Sequence, residues 1–280
     1  MTGTTTSPGT RATPAAAPTG RAPLLLVVPA LLGIAFVVLP LVGLLVRTPW
    51  RTVGSSLTDP VVLDALRLSV ISSLGAAALA ALLGIPLAWV LTRTRWPGLG
   101  WVRALVLVPL VLPPVVAGVA LLLAFGPRGV LGPGLERLGI VLPFSTAGTV
   151  VAAAFVALPF VVLTVEGALA GLDRGAEDVA ATLGAGRLRV FLTVTLPSIA
   201  PALLVGLLLA WARALGEFGA TLTFAGNLRG VTQTMPLAVY QALAVAPRSA
   251  LALSVVLLAV SIAVVVGLHS RWLPGLARRP

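Results

Sequence analysis

The sequence contains no cysteine, no lysine and a single histidine, His269. Without cysteine, disulfide bonds and thiol chemistry are excluded, and one histidine cannot build the cluster of ligands that holds zinc. Charged residues make up only 10% of the chain, whereas about 25% is typical of a soluble domain. No paired carboxylates or activated nucleophile stand out. We therefore expect no metal site, no cofactor and no enzymatic activity in this chain.

The residues that are present are mostly apolar, at 58% of the chain. A chain of this composition has too little polar surface to cover a soluble globule. The net charge of +11 would suggest nucleic acid as a partner in a soluble protein. Here all basic residues other than His269 are arginines, and most of them stand singly between apolar runs, which is typical of topology signals at membrane boundaries. We expect contact with membrane lipid and none with nucleic acid.

Six apolar runs are long enough to cross a membrane. They lack the apolar–polar alternation of barrel strands, so each is predicted to be a helix. Before them lies a segment rich in Thr, Pro, Ala and Gly, residues 1–22, which we predict to be a disordered cytoplasmic tail. The first run is too long for a signal-peptide core and is followed by no cleavage site, which favours a retained helix. The predicted fold class is all-α, a polytopic membrane protein with about six transmembrane helices at residues 24–46, 68–91, 104–125, 145–165, 203–224 and 249–268.

The arginines also indicate an orientation. If the amino terminus is cytoplasmic, the inside segments contain more arginines than the outside segments. We therefore predict that both termini, including the tail at residues 271–280, are cytoplasmic. On the outside, the apolar stretch from Met235 to Ala246 is too short to cross the membrane, and we predict a re-entrant or surface helix there.

The longest inside connection, Glu166 to Val194, contains four of the eight acids of the chain, and its last part belongs to a segment at residues 173–197 that extends into the next span. The second part of this segment reads E-D-V-A-A-T-L-G-A-G-R-L-R-V-F-L-T-V-T-L-P from Glu177 to Pro197. The alanines favour a helix, Gly184 and Gly186 permit a turn, and Pro197 begins the next span. We predict two short helices at an angle to each other.

This segment resembles the cytoplasmic loop of the inner-membrane permeases of ABC importers, which carries E-A-A-x-x-x-G, nine residues and I-x-L-P. Asp178, Val179 and Ala180 stand at the E-A-A positions, and Gly184 stands at the glycine. The departures are Asp for Glu, with Glu177 directly before it, and Val for the first Ala. The spacing to Leu196 and Pro197 is kept.

The resemblance implies a type I importer permease fold over residues 60–270, in a bacterial or archaeal cell membrane. It implies that the segment docks on a separate ATPase subunit through Glu177, Asp178, Val179, Ala180, Gly184, Leu196 and Pro197. An ordinary solvated loop with helix-capping acids is the alternative. Because the chain has no lysine, it has no loop of the G-x-x-x-x-G-K-[ST] type, so ATP and Mg must be used by the partner.

The fifth apolar run ends in W-A-R-A-L-G-E-F-G-A-T-L-T-F-A-G-N, residues 211–227. Arg213 and Glu217 are four residues apart, at a depth where a lone charge costs at least about 2.5 kcal/mol. They are therefore predicted to face each other or a watery interior. With Asn227 they are candidates for the translocation pathway, and an ion pair that only stabilises packing is the alternative.

This run resembles the molybdate and sulfate branch of the ABC permeases, in which R-x-L-G-E-F-G-A and A-G-N recur. The residues that follow resemble the molybdate type more than the sulfate type, at Thr232, Gln233, Thr234, Met235, Pro236, Ala238 and Tyr240. The resemblance implies a homodimer, an extracytoplasmic molybdate-binding protein and import of molybdate or tungstate. A sulfate or thiosulfate permease is the nearest alternative, and a secondary anion transporter or channel is an alternative of another class.

Overall fold

The structure is a computed structural model that describes residues 24–276, with side chains up to residue 263 and at residue 266. The described residues form thirteen α-helices and one π-helical turn, and no strand occurs among them. A π-helical turn at Phe191–Thr195 separates α9 from α10. In chain order the helices are α1 (Leu24–Arg47), α2 (Trp50–Leu57), α3 (Pro60–Arg93), α4 (Leu99–Val111), α5 (Pro114–Phe125), α6 (Gly132–Arg137), α7 (Thr146–Ala170), α8 (Gly175–Thr182), α9 (Arg187–Val190), α10 (Leu196–Leu215), α11 (Gly219–Phe224), α12 (Met235–Val245) and α13 (Pro247–Leu276).

The chain divides into two units, residues 1–46 and residues 47–280. The described part of the first unit lies in α1, an apolar helix none of whose residues is buried. A helix that is apolar on every side is suited to a lipid environment. Its bounds nearly coincide with the predicted first span, while the predicted tail at residues 1–22 lies outside the described residues.

Three long helices, α3, α7 and α10, pack together as the core of the second unit. The core contains many small side chains, such as the fully buried Ala80, Ala157 and Ala210. Gly206 of α10 lies so close to α7 that an added Cβ would stand 2.9 Å from the Cβ of Thr164. Small residues at the contact let helix backbones approach closely, which is how helices associate in membranes.

Two of the predicted spans are interrupted, and the prediction of a continuous helix is wrong at both places. The predicted span 104–125 is divided into α4 and α5, because Pro113 and Pro114 have no N–H to continue the hydrogen-bond ladder. The predicted span 203–224 is divided into α10 and α11 by the residues from Gly216 to Phe218. A hydropathy profile does not reveal either interruption, since the residues on both sides of it are apolar.

The predicted all-α membrane fold class is confirmed. Among the described residues, four helices are long and apolar enough to cross a membrane, namely α1, α3, α7 and the continuous stretch Arg187–Leu215. Shorter apolar helices supply the rest, and α12 stands where a re-entrant or surface helix was predicted. The last helix, α13, continues to Leu276 and so replaces the first part of the predicted tail at 271–280; residues 277–280 lie outside the described residues.

Candidate functional site

The first candidate site is the segment at residues 173–197, which connects α7 to α10 and includes the first two residues of α10. The Asp173 Oδ1 accepts a hydrogen bond from the backbone N–H of Gly175 at 3.1 Å, directly before α8. Glu177 and Asp178 lie in the first turn of α8. Acidic side chains are favourable there because the unsatisfied N–H groups give this end of a helix a partial positive charge.

Gly184 ends α8 in the left-handed conformation, with φ +85°. The N–H of Gly184 donates to the carbonyl of Ala181 at 3.0 Å, and the N–H of Ala185 donates to the carbonyl of Ala180 at 3.1 Å. These two bonds form a Schellman motif, which satisfies the last carbonyls of the helix and strongly favours glycine at this position. The turn therefore specifies the angle between α8 and the helices that follow.

Glu177 connects α8 to two other elements. Its Oε1 accepts hydrogen bonds from Nη2 of Arg93 at 3.0 Å and from Oγ1 of Thr195 at 2.6 Å. The side chains of Arg93 and Glu177 are only 9% and 15% exposed, so this ion pair is largely shielded from water. Glu177 thus links α8 to the end of α3 and to the π-helical turn.

The stretch from Arg187 to Leu215 is one continuous helix that contains the π-helical turn. Pro197 stands two residues after that turn, within the first turn of α10, and lacks the N–H that would continue regular bonding. Such π-helical turns often occur at functional sites. The two predicted short helices are therefore α8 and α9, but the second continues directly into α10.

The outer surface of this segment carries apolar side chains. Val179 is 60% exposed and Leu183 is 83% exposed. Asp178 and Pro197 are exposed, whereas Ala180 and Leu196 are half-buried. Of the two neighbouring acids, Glu177 thus forms hydrogen bonds within the fold, whereas Asp178 is exposed on the surface. Leu188 and Leu192 add further exposed apolar area.

The second candidate site is the interruption between α10 and α11. Nη1 of Arg213 donates to Oε2 of Glu217 at 2.7 Å, and Oε1 of Glu217 accepts the backbone N–H of Ala220 at 2.8 Å. The Glu217 side chain is 2% exposed and that of Arg213 is 33% exposed. The predicted pair therefore forms, but Glu217 stands beyond the end of α10 and binds the first turn of α11 as well.

Close packing holds this interruption against α5. A Cβ added to Gly219 would stand 2.5 Å from the Cβ of Pro114, and one added to Gly118 would stand 2.5 Å from the Cβ of Thr223. Such distances leave no room for a side chain on either glycine. The buried Glu217 is thus positioned between α10 and the α5–α11 contact.

Asn227 lies apart from this pair, in a cavity of about 470 Å³ that is lined by both polar and apolar side chains. Its Nδ2 donates to Oε1 of Gln241 at 3.3 Å, and Nε2 of Gln233 donates to the same oxygen. Arg229 and Asp59 also line the cavity, whereas Arg213 and Glu217 do not. The structure therefore places the three pathway candidates in two separate sites.

Comparison with known proteins gives the family. Residues 80–274 match the family described as Binding-protein-dependent transport system inner membrane component. The chain belongs to this family. The resemblance to importer permeases that the sequence indicated is confirmed.

Several relatives of this inner membrane component carry names that state their transport. The "Molybdenum transport system permease protein ModB" of Mycobacterium tuberculosis is 47% identical over 243 residues, which cover 87% of this chain and 92% of the relative. The "Sulfate transport system permease protein CysT" of Escherichia coli is 37% identical over 200 residues, which cover 71% and 72%. The chain is thus similar to both types.

A solved structure shows the shared fold of this inner membrane component. It is a bacterial ABC transporter involved in the import of the acidic polysaccharide alginate, with a TM-score of 0.68 at 17% identity. The likeness covers 88% of this chain and 93% of the solved chain. At this identity the likeness concerns the fold alone.

Sequence reasoning missed the residues that position the candidates. Arg93 and Thr195 contact Glu177, but Arg93 is 84 residues away in sequence, and no local pattern indicates such a partner. Gln241 binds Asn227 across 14 residues. The one available signal was that Arg93 lies at the predicted inside end of a span, on the same predicted side as the acid-rich connection.

Proposed function

We propose that this inner membrane component is the permease subunit of an ATP-binding cassette importer that carries molybdate, or the similar tungstate, into the cytoplasm. The support comes from the relatives: the one named for molybdenum transport is more similar, and over more of the chain, than the one named for sulfate transport. The pattern around Gln233 and Tyr240 points the same way. Sulfate is a tetrahedral dianion too, so a sulfate permease is the second candidate.

The observation that carries the importer mechanism is the construction of the segment at residues 173–197. It is bent at Gly184, tied to the bundle through Glu177 and apolar on its outer face at Val179 and Leu183. A segment that only connected two helices in water would not need exposed apolar side chains next to a fixed bend. We propose that α8 docks on a separate ATPase subunit through this surface, with Asp178 facing a basic group of that partner.

A continuous helix connects the two candidate sites. Thr195, which contacts Glu177, directly precedes α10, and Arg213, which contacts Glu217, lies near its end. The 20 residues of α10 correspond to about 30 Å of helix at 1.5 Å per residue. Under the proposed function, movement of α8 by the ATPase is transmitted along α10 to the interruption at Glu217. There the pathway switches between being open to the outside and being open to the cytoplasm.

The proposed importer requires other subunits in addition to this chain. ATP and Mg are used by the ATPase subunit, since this chain has no lysine and thus no phosphate-binding loop of the usual type. An extracytoplasmic binding protein delivers the anion, and two copies of the permease form the passage between them. Both termini are cytoplasmic in this arrangement, which puts α8 on the side of the ATPase.

Docking is tested by Leu183→Asp. Leu183 is 83% exposed, so the variant should fold, but a charge in an apolar contact should weaken binding of the ATPase at least about tenfold. The measurement is co-purification and titration of the ATPase subunit on the permease in detergent. The matched control is Leu138→Asp, because Leu138 is 74% exposed and follows α6, outside the docking segment. If the ATPase subunit binds the two variants with equal affinity, the docking role proposed for α8 is contradicted.

A further inference from the structure

Two neighbouring cavities lie where α3 ends and α9 begins. The first, of about 320 Å³, is lined by the apolar side chains of Pro86, Trp89, Val90, Leu188 and Phe191, and by Arg187. The lining of the second, of about 520 Å³, includes five charged side chains as well as Trp89, Phe191 and smaller uncharged residues. Trp89, Arg187 and Phe191 line both, so the two cavities adjoin each other, and we call them together the amphipathic groove.

The charged half of the groove carries an excess of positive charge. Arg93, Arg174 and Arg187 line it, against Glu177 and Asp178. Arg93 is paired with Glu177, whereas Arg174 and Arg187 form no ion pair among the described residues. A phosphate oxygen is an acceptor suited to a guanidinium, so these two arginines are the ones available to an anion.

The tryptophans next to the groove are typical of a membrane boundary. Trp89, Trp96 and Trp101 occur close together at the junction of α3 and α4, and Trp96 and Trp101 are 71% and 83% exposed. Tryptophan is enriched at the level of the lipid headgroups. Arginines at the same junction, such as Arg95, are typical of the side with anionic headgroups.

We infer that this groove binds one anionic phospholipid. The acyl chain lies along Trp89, Val90 and Phe191, and the phosphate contacts Arg174 and Arg187 next to α8. A zwitterionic lipid fits the apolar half equally well but leaves the excess positive charge without a counter-ion. The inference requires only that the chain spans a membrane, and it holds whatever anion is transported.

The test is lipid retention by the purified chain, measured by native mass spectrometry. Phosphatidylglycerol, phosphatidylcholine with the same acyl chains, and inorganic phosphate are the probes. We expect one phosphatidylglycerol retained per chain, with retention of phosphatidylcholine and of phosphate much weaker. Arg174→Gln and Arg187→Gln should each weaken phosphatidylglycerol binding about fivefold, the usual effect of one basic residue near an anionic surface.

The matched control is Arg189→Gln, since Arg189 lies on the same short helix α9 but lines neither cavity. It should retain the lipid as the native chain does. Val90→Phe, which fills the apolar half and leaves every arginine in place, should lower phosphatidylglycerol retention to the level of phosphatidylcholine. The inference is overturned if Arg187→Gln and Arg189→Gln behave alike, if the two lipids are retained equally, or if phosphate alone binds as well as phosphatidylglycerol.

Discussion

At the scale of single residues, Glu177 and Asp178 are adjacent acids with different surroundings. Glu177 accepts two hydrogen bonds, from Arg93 and Thr195, in a largely buried position, whereas Asp178 is exposed. A carboxylate that neutralises a buried guanidinium contributes to stability, because its removal leaves that charge desolvated and unpaired. An exposed acid at a helix N-terminus contributes much less.

We predict that Glu177→Ala destabilises the protein by about 1.5–3 kcal/mol, the range for a hydrogen bond to a charged group. Asp178→Ala should change stability by less than about 0.5 kcal/mol, as is usual for a surface position. The measurement is the thermal unfolding midpoint in detergent, followed by size-exclusion chromatography of heated samples. Equal midpoints for the two variants would show that the contact with Arg93 and Thr195 contributes nothing to folding.

At the scale of helices, the interruption between α10 and α11 depends on close backbone contact. Gly219→Ala would bring a Cβ within 2.5 Å of the rigid ring of Pro114, and we predict a loss of about 1–3 kcal/mol from overpacking. The matched control is Gly216→Ala in the same interruption, where the nearest atom to an added Cβ is 3.9 Å away and φ is −88°. Thermal unfolding of both variants measures the difference, and a control that loses as much stability as Gly219→Ala would contradict the packing argument.

The positions of the helices can be predicted from the sequence more reliably than the breaks within them. Apolar runs and the turn residue Gly184 are local signals, so the all-α class and the bend after α8 follow from them. The interruption at Gly216 to Phe218 could not be predicted from hydropathy, because Leu215 and Phe218 maintain the hydropathy of a span. The partnership of Glu177 with Arg93 was missed because it depends on the packing of distant helices, which periodicity does not encode.

At the scale of the whole molecule, the proposed function makes two claims. Import requires ATP, and the imported anion is molybdate rather than sulfate. Molybdate, tungstate and sulfate share their charge and shape, so no charge on the permease separates them, and their sizes are the remaining difference. A pathway that opens only when the ATPase moves α8 allows no downhill leak. A secondary transporter or channel built on the Arg213–Glu217 pair would conduct without the ATPase.

We therefore predict that vesicles containing the permease, its ATPase and the binding protein take up labelled molybdate only with ATP. Unlabelled tungstate should compete at similar concentrations, because its size is close to that of molybdate, whereas excess sulfate should compete weakly. Vesicles without the ATPase are the control and should show no uptake above empty vesicles. If sulfate competes as strongly as tungstate, the chain is assigned to sulfate transport. If uptake occurs without the ATPase, the chain is assigned to the secondary transporters. Neither result is compatible with a molybdate pathway that is opened through α8.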